Sequence, residues 1–133
     1  MIFYHGTDNL SQNDIFSKGL NPSFLTTSLE QASYYAETTA DINESEPVIL
    51  EINISSEDHI LVTDFRSIEE PLTFIINKHN FRNDEDFHNA FSDETNEIFF
   101  HPDKKDWETS LFLTDCVFCE TVISPDFIKL WEA

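Results

Sequence analysis

The sequence contains little glycine, cysteine or positive charge, and these shortages narrow the classes of protein that it can belong to. Its 133 residues include two glycines, two cysteines and seven lysines and arginines. No apolar run approaches the roughly 18 residues of a transmembrane helix, so we expect no membrane span. The first residues begin a strand pattern with no basic segment before it. We therefore expect no signal peptide and a cytoplasmic location, in the producing cell or in a host.

Acidic residues dominate the charge. Twenty-six aspartates and glutamates oppose the seven basic residues, which gives a formal net charge of −19. Such a field repels the phosphates of nucleic acids and anionic membranes, so neither is an expected partner. It attracts a basic protein surface, although the same charge also serves plain solubility.

Cys116 and Cys119 have the C-x-x-C spacing of redox and metal sites, but their surroundings argue against both. The segment DCVFCETVI is typical of a strand, in which residues three apart point to opposite faces. The sequence has no second C-x-x-C and no histidine pair near this one. We expect two ordinary buried or half-buried thiols, no disulfide and no metal site.

Periodicity and turn residues predict an α+β fold, with strands at both ends of a single domain that spans residues 1–133. Thirteen phenylalanines supply apolar material for its core. Strands are predicted over residues 2–4, 23–28, 47–54 and 59–65, in one or two pieces over 109–124 with a break near 114–115, and in the closing segment 125–133. A loop is predicted over residues 101–108.

Cap residues indicate where the helices begin and end. Gly19 stands where a preceding helix would need a left-handed terminal residue. Ser28 and Gln31 match a capping box, in which each side chain bonds the backbone of the other residue. Ser67 and Glu70 match a second box. Helices are predicted as one or two turns within residues 8–18, over 29–40 and 71–81, and within the acidic segment 82–97.

The clearest chemical signal is the segment FYHGT at residues 3–7, which places one of the two glycines directly after a histidine. It is followed by FLTTS at 24–28 and ASYYA at 32–36. This order resembles the ADP-ribosyltransferase superfamily, in its diphtheria-toxin-like and poly(ADP-ribose)-polymerase-like branch. That branch carries His-Gly-Thr/Ser on its first strand, an aromatic-Ser/Thr-Thr/Ser element on its second, and A-x-x-Y on the next helix. The resemblance covers residues 2–54 in order and spacing and extends only loosely beyond.

The resemblance implies an ADP-ribosyltransferase-like split β-sheet and NAD as a substrate. His5 would hydrogen-bond a ribose hydroxyl on the adenosine side of NAD. Gly6 would pair its backbone with the nicotinamide carboxamide, and a β-carbon there would block that approach. Thr7 would contact the nicotinamide ribose or order the end of the strand.

The second strand and the following helix would supply further NAD contacts. Thr27 is the candidate on the strand, and Tyr35 would stack on the nicotinamide ring. Tyr34 would replace Tyr35 if the helix register differs. Leu25 stands where many relatives carry a tyrosine, so one wall of the nicotinamide slot would be aliphatic or come from another aromatic residue.

Three residues remain open as the catalytic acid. Cleavage of the nicotinamide–ribose bond builds positive charge on the ribose carbon, as in glycoside hydrolysis, and a carboxylate would stabilise that charge. Asp115 stands at a strand start, where the family places its acid, whereas Glu120 is the more usual residue type but lies deeper in the segment. In one regular strand the two would face opposite sides. Asp58 is the third candidate, by resemblance to rifamycin-modifying transferases.

The predicted activity is transfer of one ADP-ribose from NAD to a protein with a basic surface, or to a small molecule. Such an activity would suit a toxin or a phage-encoded modifier of host machinery or host defence. The alternatives are an NAD glycohydrolase, an RNA 2′-phosphotransferase, which the acidic charge disfavours, and a non-enzymatic acidic inhibitor of a basic protein. Binding of a basic partner that survives His5→Ala and Asp115→Ala, but is lost at high salt, would favour the inhibitor.

Overall fold

The structure is a computed structural model, and it describes residues 1–69, 72–83, 85–90 and 106–132. Its strands are β1 (Ile2–Asp8), β2 (Ser23–Thr26), β3 (Pro47–Asn53), β4 (Leu61–Thr63), β5 (Cys116–Cys119) and β6 (Ile128–Leu130). Its helices are α1 (Asn9–Lys18), α2 (Leu29–Asn43), α3 (Phe65–Glu69), α4 (Thr73–Lys78), α5 (residues 85–90) and α6 (Asp106–Thr114). A 3₁₀ turn covers Pro125–Phe127.

The strands form a six-stranded sheet in the order β4-β5-β2-β1-β3-β6, which confirms the predicted α+β class. β1 pairs antiparallel with β3 along its whole length, from Ile2↔Asn53 to Asp8↔Pro47. β6 pairs antiparallel with the other side of β3. The finer expectation, an ADP-ribosyltransferase-like split sheet, stays a prediction.

The chain divides into two compact units. The first contains Met1–Leu61 and Phe118–Ala133, and the second contains Val62–Val117. The expectation of a single domain over residues 1–133 stays a prediction. Among the residues that the structure describes, no helix is long and apolar enough to cross a membrane.

In the first unit, α2 lies against β1 and β3 through a row of small side chains. Ala32, Ala36 and Ala40 recur at the four-residue spacing of one helix face, and each is at most 3 % exposed. Alanine adds only a methyl group, so the backbone of α2 approaches the sheet closely. Phe3 of β1, fully buried, fills the core of the same unit.

Both predicted ends of α1 have a physical cause in the structure. Asp8, the last residue of β1, accepts a hydrogen bond from the Ser11 N–H at 3.0 Å and so begins the helix. Gly19 ends it with φ of 95°, and its N–H donates to the Ile15 carbonyl at 2.8 Å. The left-handed terminal glycine is therefore confirmed.

One half of the first capping box is confirmed, and the other half stays a prediction. The Ser28 hydroxyl accepts from the Gln31 N–H at 3.2 Å, as the pattern predicts. The Ser28 N–H donates to the Thr26 hydroxyl at 3.0 Å. The Gln31 side chain is buried.

The second predicted capping box is wrong. Ser67 lies inside α3, so it does not begin the helix predicted over 71–81; that helix is α4, which follows Leu72 without a side-chain cap. The buried Asp64 carboxylate accepts from the Ser67 N–H at 3.0 Å and from its hydroxyl at 2.8 Å. Asp64 thus caps α3, a helix that the sequence pattern did not predict. Glu70 lies outside the described residues.

The predicted strand over residues 109–114 is also wrong, because this segment belongs to α6. Thr109, Ser110, Leu113 and Thr114 are buried, whereas Phe112 is 66 % exposed, a helical rather than an alternating pattern. The break predicted near residues 114–115 is confirmed. The loop predicted over 101–108 is wrong for residues 106–108, which belong to α6, and residues 101–105 lie outside the described residues.

The strand predicted over 59–65 and the helix predicted over 71–81 are confirmed in part, as β4 (Leu61–Thr63) and α4 (Thr73–Lys78). Residues 85–90 of the acidic segment 82–97 are helical. Residue 84 and residues 91–97 of that segment lie outside the described residues. Ile75, Phe87 and Leu113 pack together in a buried cluster. Cys116 of the second unit and Cys119 of the first unit are both free and buried, which confirms the expected buried thiols.

Candidate functional site

The pairing of β1 determines which way the Gly6 peptide faces. Backbone bonds that flank its ladder with β3 join Met1 to Ile54 and Asn9 to Glu46. The odd-numbered residues of β1 therefore bond to β3. Because bonding alternates along an antiparallel strand, the even-numbered residues, Gly6 among them, direct their N–H and C=O groups toward β2.

The ladder between β1 and β2 is short. Its register is the single pair Tyr4↔Thr26. Two residues further along the same register, Gly6 would stand opposite Phe24. There the Phe24 carbonyl oxygen lies 2.8 Å from Nδ1 of His5. A carbonyl oxygen can only accept, so Nδ1 is the donor and, in the neutral ring, Nε2 is an acceptor.

A groove with a volume of about 520 Å³ begins beside this point. His5 and Thr7, the two neighbours of Gly6, line it from β1. The opposite wall comes from α1 and from the segment between α1 and β2, through Ser11, Asp14, Ile15, Lys18, Gly19, Leu20 and Asn21, together with Leu10. The structure therefore brings His5 and Thr7 to one groove, whereas Gly6, the residue between them, is not among its lining residues.

Gly6 is also required by packing on the face opposite the groove. A β-carbon added to it would lie 2.2 Å from the Ala32 carbonyl oxygen and 2.6 Å from the Ala36 nitrogen. Those backbone atoms of α2 cannot rotate out of the way. The glycine was expected at a strand end, but it lies in the interior of β1, with the strand continuing to Asp8.

Thr27, Tyr34 and Tyr35 lie apart from the lining of this groove. Thr27 is exposed between β2 and α2. Tyr34 is 50 % exposed, and its ring meets that of the half-buried Tyr35 edge-on at 5.3 Å. In this structure the two tyrosines thus contact each other, and their predicted stacking on nicotinamide stays a prediction.

Asp115, the first candidate acid, belongs to the second unit. Its φ of 60° places it in the left-handed region, between α6 and β5. Its carboxylate accepts a hydrogen bond from Lys78 at 2.6 Å, with the Asp115 side chain 16 % exposed. This candidate acid therefore pairs with a lysine in this structure.

Glu120 and Asp58 both belong to the first unit. Glu120 is exposed just after β5, and its N–H donates to the Ile60 carbonyl at 2.9 Å. Asp58 accepts from Nδ1 of His59 at 2.9 Å and from the Ser55 N–H and hydroxyl, each at 3.0 Å. The bond from His59, and then those from Ser55, lower the pKa of Asp58 to about 2. Neither Asp115 nor Glu120 lies within strand β5, so the opposite-face argument does not apply.

The α1 wall of the groove was not predicted from the sequence. Ser11, Asp14 and Lys18 recur at the three- and four-residue spacings of one helix face, which is the signal that could have identified them. Lys18 supplies the positive charge among the lining residues, and its ion pair with Asp14 is loose, at 3.8 Å. Both side chains are more than three-quarters exposed, so each can turn toward a ligand.

Asp8 fixes the angle between β1 and α1, and thereby the shape of the groove. Besides capping α1, its fully buried carboxylate accepts from Asn43 Nδ2 at 2.8 Å and from the Ser45 hydroxyl at 2.9 Å. These bonds, that of Asn43 most of all, outweigh the effect of burial and lower the pKa of Asp8 to about 2. The carboxylate is a structural anchor rather than a group open to a ligand.

Among the residues that the structure describes, no group of three or more histidines, cysteines, aspartates or glutamates is arranged to hold a metal ion. Comparison of the chain with protein-family models, with curated proteins and with solved structures found no match. The function is therefore argued from the groove itself and from the chemistry of the residues around it.

Proposed function

We propose that the protein binds NAD in the groove beside His5 and Thr7, and that it transfers ADP-ribose from NAD to a protein with a basic surface. One observation carries the proposal. The β1–β2 ladder has its single pair at Tyr4↔Thr26, and Gly6 beyond it directs its peptide groups to the β2 side. We infer that a flat amide pairs with the Gly6 peptide groups there, beyond the one register pair of this ladder.

The nicotinamide carboxamide suits the peptide groups of one strand residue because it carries one acceptor oxygen and two N–H donors, like the side chain of asparagine. A single residue of a strand offers one N–H and one C=O to the same side. The carboxamide would pair with both groups of Gly6. Nε2 of His5 would accept from a ribose hydroxyl, while Nδ1 keeps its bond to Phe24.

The diphosphate of NAD requires positive charge in a protein with a net charge of −19. Lys18 lies in the groove wall and is 77 % exposed, so its ammonium group can meet a phosphate oxygen as a point charge. One exposed lysine gives a weak grip. We therefore expect modest affinity for NAD, with most of the recognition at the nicotinamide and ribose ends.

In the proposed reaction, the bond between the nicotinamide nitrogen and the ribose carbon breaks, and its electron pair leaves with the nicotinamide. The ribose carbon becomes cationic, and a carboxylate stabilises it. A nucleophilic side chain of the acceptor protein then bonds to this carbon and releases its proton. If water is the nucleophile instead, the same residues give an NAD glycohydrolase.

Asp115, Glu120 and Asp58 remain the proposed sources of the carboxylate. Asp115→Asn, Glu120→Gln and Asp58→Asn keep side-chain size and remove the charge. The catalytic acid is the residue whose substitution lowers nicotinamide release by orders of magnitude while NAD binding persists. If all three variants release nicotinamide like the wild type, the proposed chemistry is wrong.

The experiment that tests the proposal uses NAD labelled in the adenylate part, incubated with the protein and a cell lysate, and measures both transferred label and free nicotinamide. Two variants of His5 separate its roles. His5→Asn keeps a donor near the position of Nδ1 but loses the acceptor at Nε2, whereas His5→Gln reaches the position of Nε2. We expect both proteins to fold, and only His5→Gln to retain measurable NAD binding. Label transfer unaffected by either variant, or absent from the wild type, would refute the proposal.

A second function, non-enzymatic inhibition of a basic protein, is favoured by the net charge of −19. It needs neither His5 nor a catalytic carboxylate. Inhibitor binding would be equal in the wild type and in His5→Asn and would weaken with salt, because exposed charges are screened. Release of nicotinamide by the wild type would decide for the enzyme.

A further inference from the structure

A second groove in the first unit, distinct from the proposed NAD groove, lies between α2, the start of β3 and the end of β6. It has a volume of about 340 Å³ and is mainly apolar. Ser33, Ala36 and Glu37 line it from α2, Val48 and Ile49 from β3, and Trp131 from the end of the chain. We call it the Trp131 groove.

Trp131 is held in place by the sheet. Its N–H donates to the Ile49 carbonyl at 2.9 Å, which continues the pairing of β6 with β3 by one residue. Its side chain is half-buried and lines the groove beside Leu130, which is 37 % exposed. The backbone of Trp131 is thus fixed, and its half-buried indole ring offers part of its surface to a ligand.

The rim of the Trp131 groove is acidic. Glu37 lines the groove, and Glu30 and Asp41 are exposed on the same face of α2. At 100° per residue these three lie within an arc of about 40° and span about 16 Å along the helix. Glu44 follows at the helix end, and residues 29–43 contain no lysine or arginine. We call this row the α2 acidic face.

We propose that the Trp131 groove and the α2 acidic face together form the docking surface for a basic segment of a partner protein, with an arginine side chain of that segment in the groove. Arginine fits both parts of the groove. Its guanidinium stacks on indole by cation–π attraction and forms paired hydrogen bonds with a carboxylate such as Glu37, while its methylene stem covers apolar wall.

The charge of the remaining segment would be matched by Glu30, Asp41 and Glu44, without a competing cation on α2. This surface goes beyond the NAD proposal, because it binds a basic segment whether or not NAD is consumed. Where the proposed transfer also holds, this is the surface on which the acceptor protein docks.

The test is binding of a fluorescein-labelled nona-arginine peptide, measured by fluorescence anisotropy at low salt without NAD. Glu37→Gln and Trp131→Leu should each weaken binding about five- to tenfold, because each removes one contact of the seated guanidinium. Trp131→Phe keeps an aromatic face and should recover part of the loss. The matched control is Glu57→Gln, which removes one negative charge from an exposed turn remote from the groove lining.

We expect Glu57→Gln to weaken peptide binding less than about twofold, since it changes only the net charge. Equal weakening by Glu37→Gln and Glu57→Gln would mean diffuse attraction by the whole acidic surface, and would overturn the proposal. Unchanged binding in Trp131→Leu would overturn it as well. Glu37 is exposed, so its variant should fold even if Trp131→Leu does not, and a thermal melt checks both. A negative result here would not count against the proposed NAD binding, because the NAD assays involve no peptide.

Discussion

Substitution of Gly6 by alanine tests the packing of β1 against α2 most severely. The new β-carbon would lie 2.2 Å from the Ala32 carbonyl oxygen and 2.6 Å from the Ala36 nitrogen. Non-bonded heavy atoms prefer separations of about 3.5–4.0 Å, so α2 must move away from the sheet by about 1 Å. Backbone atoms cannot relieve the clash by changing rotamer, as a side chain could.

The expected cost follows from this geometry. Overpacking of a core costs about 1–3 kcal/mol, and a clash with a helix backbone belongs at the upper end. The reduced entropy of the unfolded chain returns at most about 1 kcal/mol. We expect Gly6→Ala to lower the free energy of unfolding by about 2–3 kcal/mol, or the melting temperature by about 10 °C.

Urea unfolding followed by circular dichroism measures this loss, and Ala36→Gly supplies the control. That change removes the Ala36 β-carbon but leaves the nitrogen that the new methyl group strikes. The double variant Gly6→Ala/Ala36→Gly should therefore be no more stable than Gly6→Ala. Rescue in the double variant, or a loss below about 1 kcal/mol in Gly6→Ala, would refute the described contact.

Three further predictions concern stability. The pKa of Asp8 is lowered from 3.8 to about 2, so its charged form stabilises the fold by about 2 kcal/mol above pH 4. This stability is lost as the pH falls toward 2. Asp8→Asn should therefore flatten the pH dependence of the free energy of unfolding in urea between pH 4 and 2, and an unchanged pH dependence would contradict this prediction. Phe87 is fully buried, so Phe87→Ala should cost about 3–5 kcal/mol in the same assay, and a cost below about 1 kcal/mol would contradict its place in the core. Lys78→Met breaks the ion pair with Asp115, in which the lysine side chain is 42 % exposed. It should lower the free energy of unfolding by less than about 1 kcal/mol. A larger loss would contradict this prediction, because it would mean that the pair is shielded from water.

Local chemistry explains the parts of the fold that the sequence predicts well. Asp8, Gly19 and Ser28 act within three or four residues of chain, where a short side chain or a left-handed residue meets its own backbone. The alternation in β3 likewise reflects burial of one side of a strand. Such signals survive without knowledge of the tertiary structure.

The wrong predictions arise where a sequence pattern is compatible with two secondary structures, or where contacts between residues distant in the chain determine the structure. In α6 the buried positions include Thr109, Ser110 and Thr114, so the apolar residues alone suggested a strand. Thr114 and Ser110 bond the carbonyls of Ser110 and Cys116, respectively, which satisfies hydroxyl groups that a sequence pattern treats as exposed. The buried Asp64 begins the short helix α3, which contains Ser67, so the serine does not cap the helix that follows.

In the candidate site, too, the local features were predicted and those that depend on distant parts of the chain were not. The motif predicted His5 and Thr7 together because they are neighbours on one strand. The wall from α1, with Lys18, depends on how the helix folds back along β1 after Asp8, and no motif records that. Packing adds a second reason for Gly6 that the resemblance did not supply, since α2 contacts the strand at that residue.

The scarcity of glycine makes the most direct test of the central claim simple. Protein labelled with ¹⁵N only at glycine gives two backbone amide signals, from Gly6 in β1 and from Gly19 in the groove wall. Titration with NAD should shift the Gly6 signal in a saturable manner, nicotinamide alone should shift it in the same direction, and His5→Asn should weaken the NAD response. If neither glycine signal moves at millimolar NAD, the groove does not bind the dinucleotide and the proposed function is wrong.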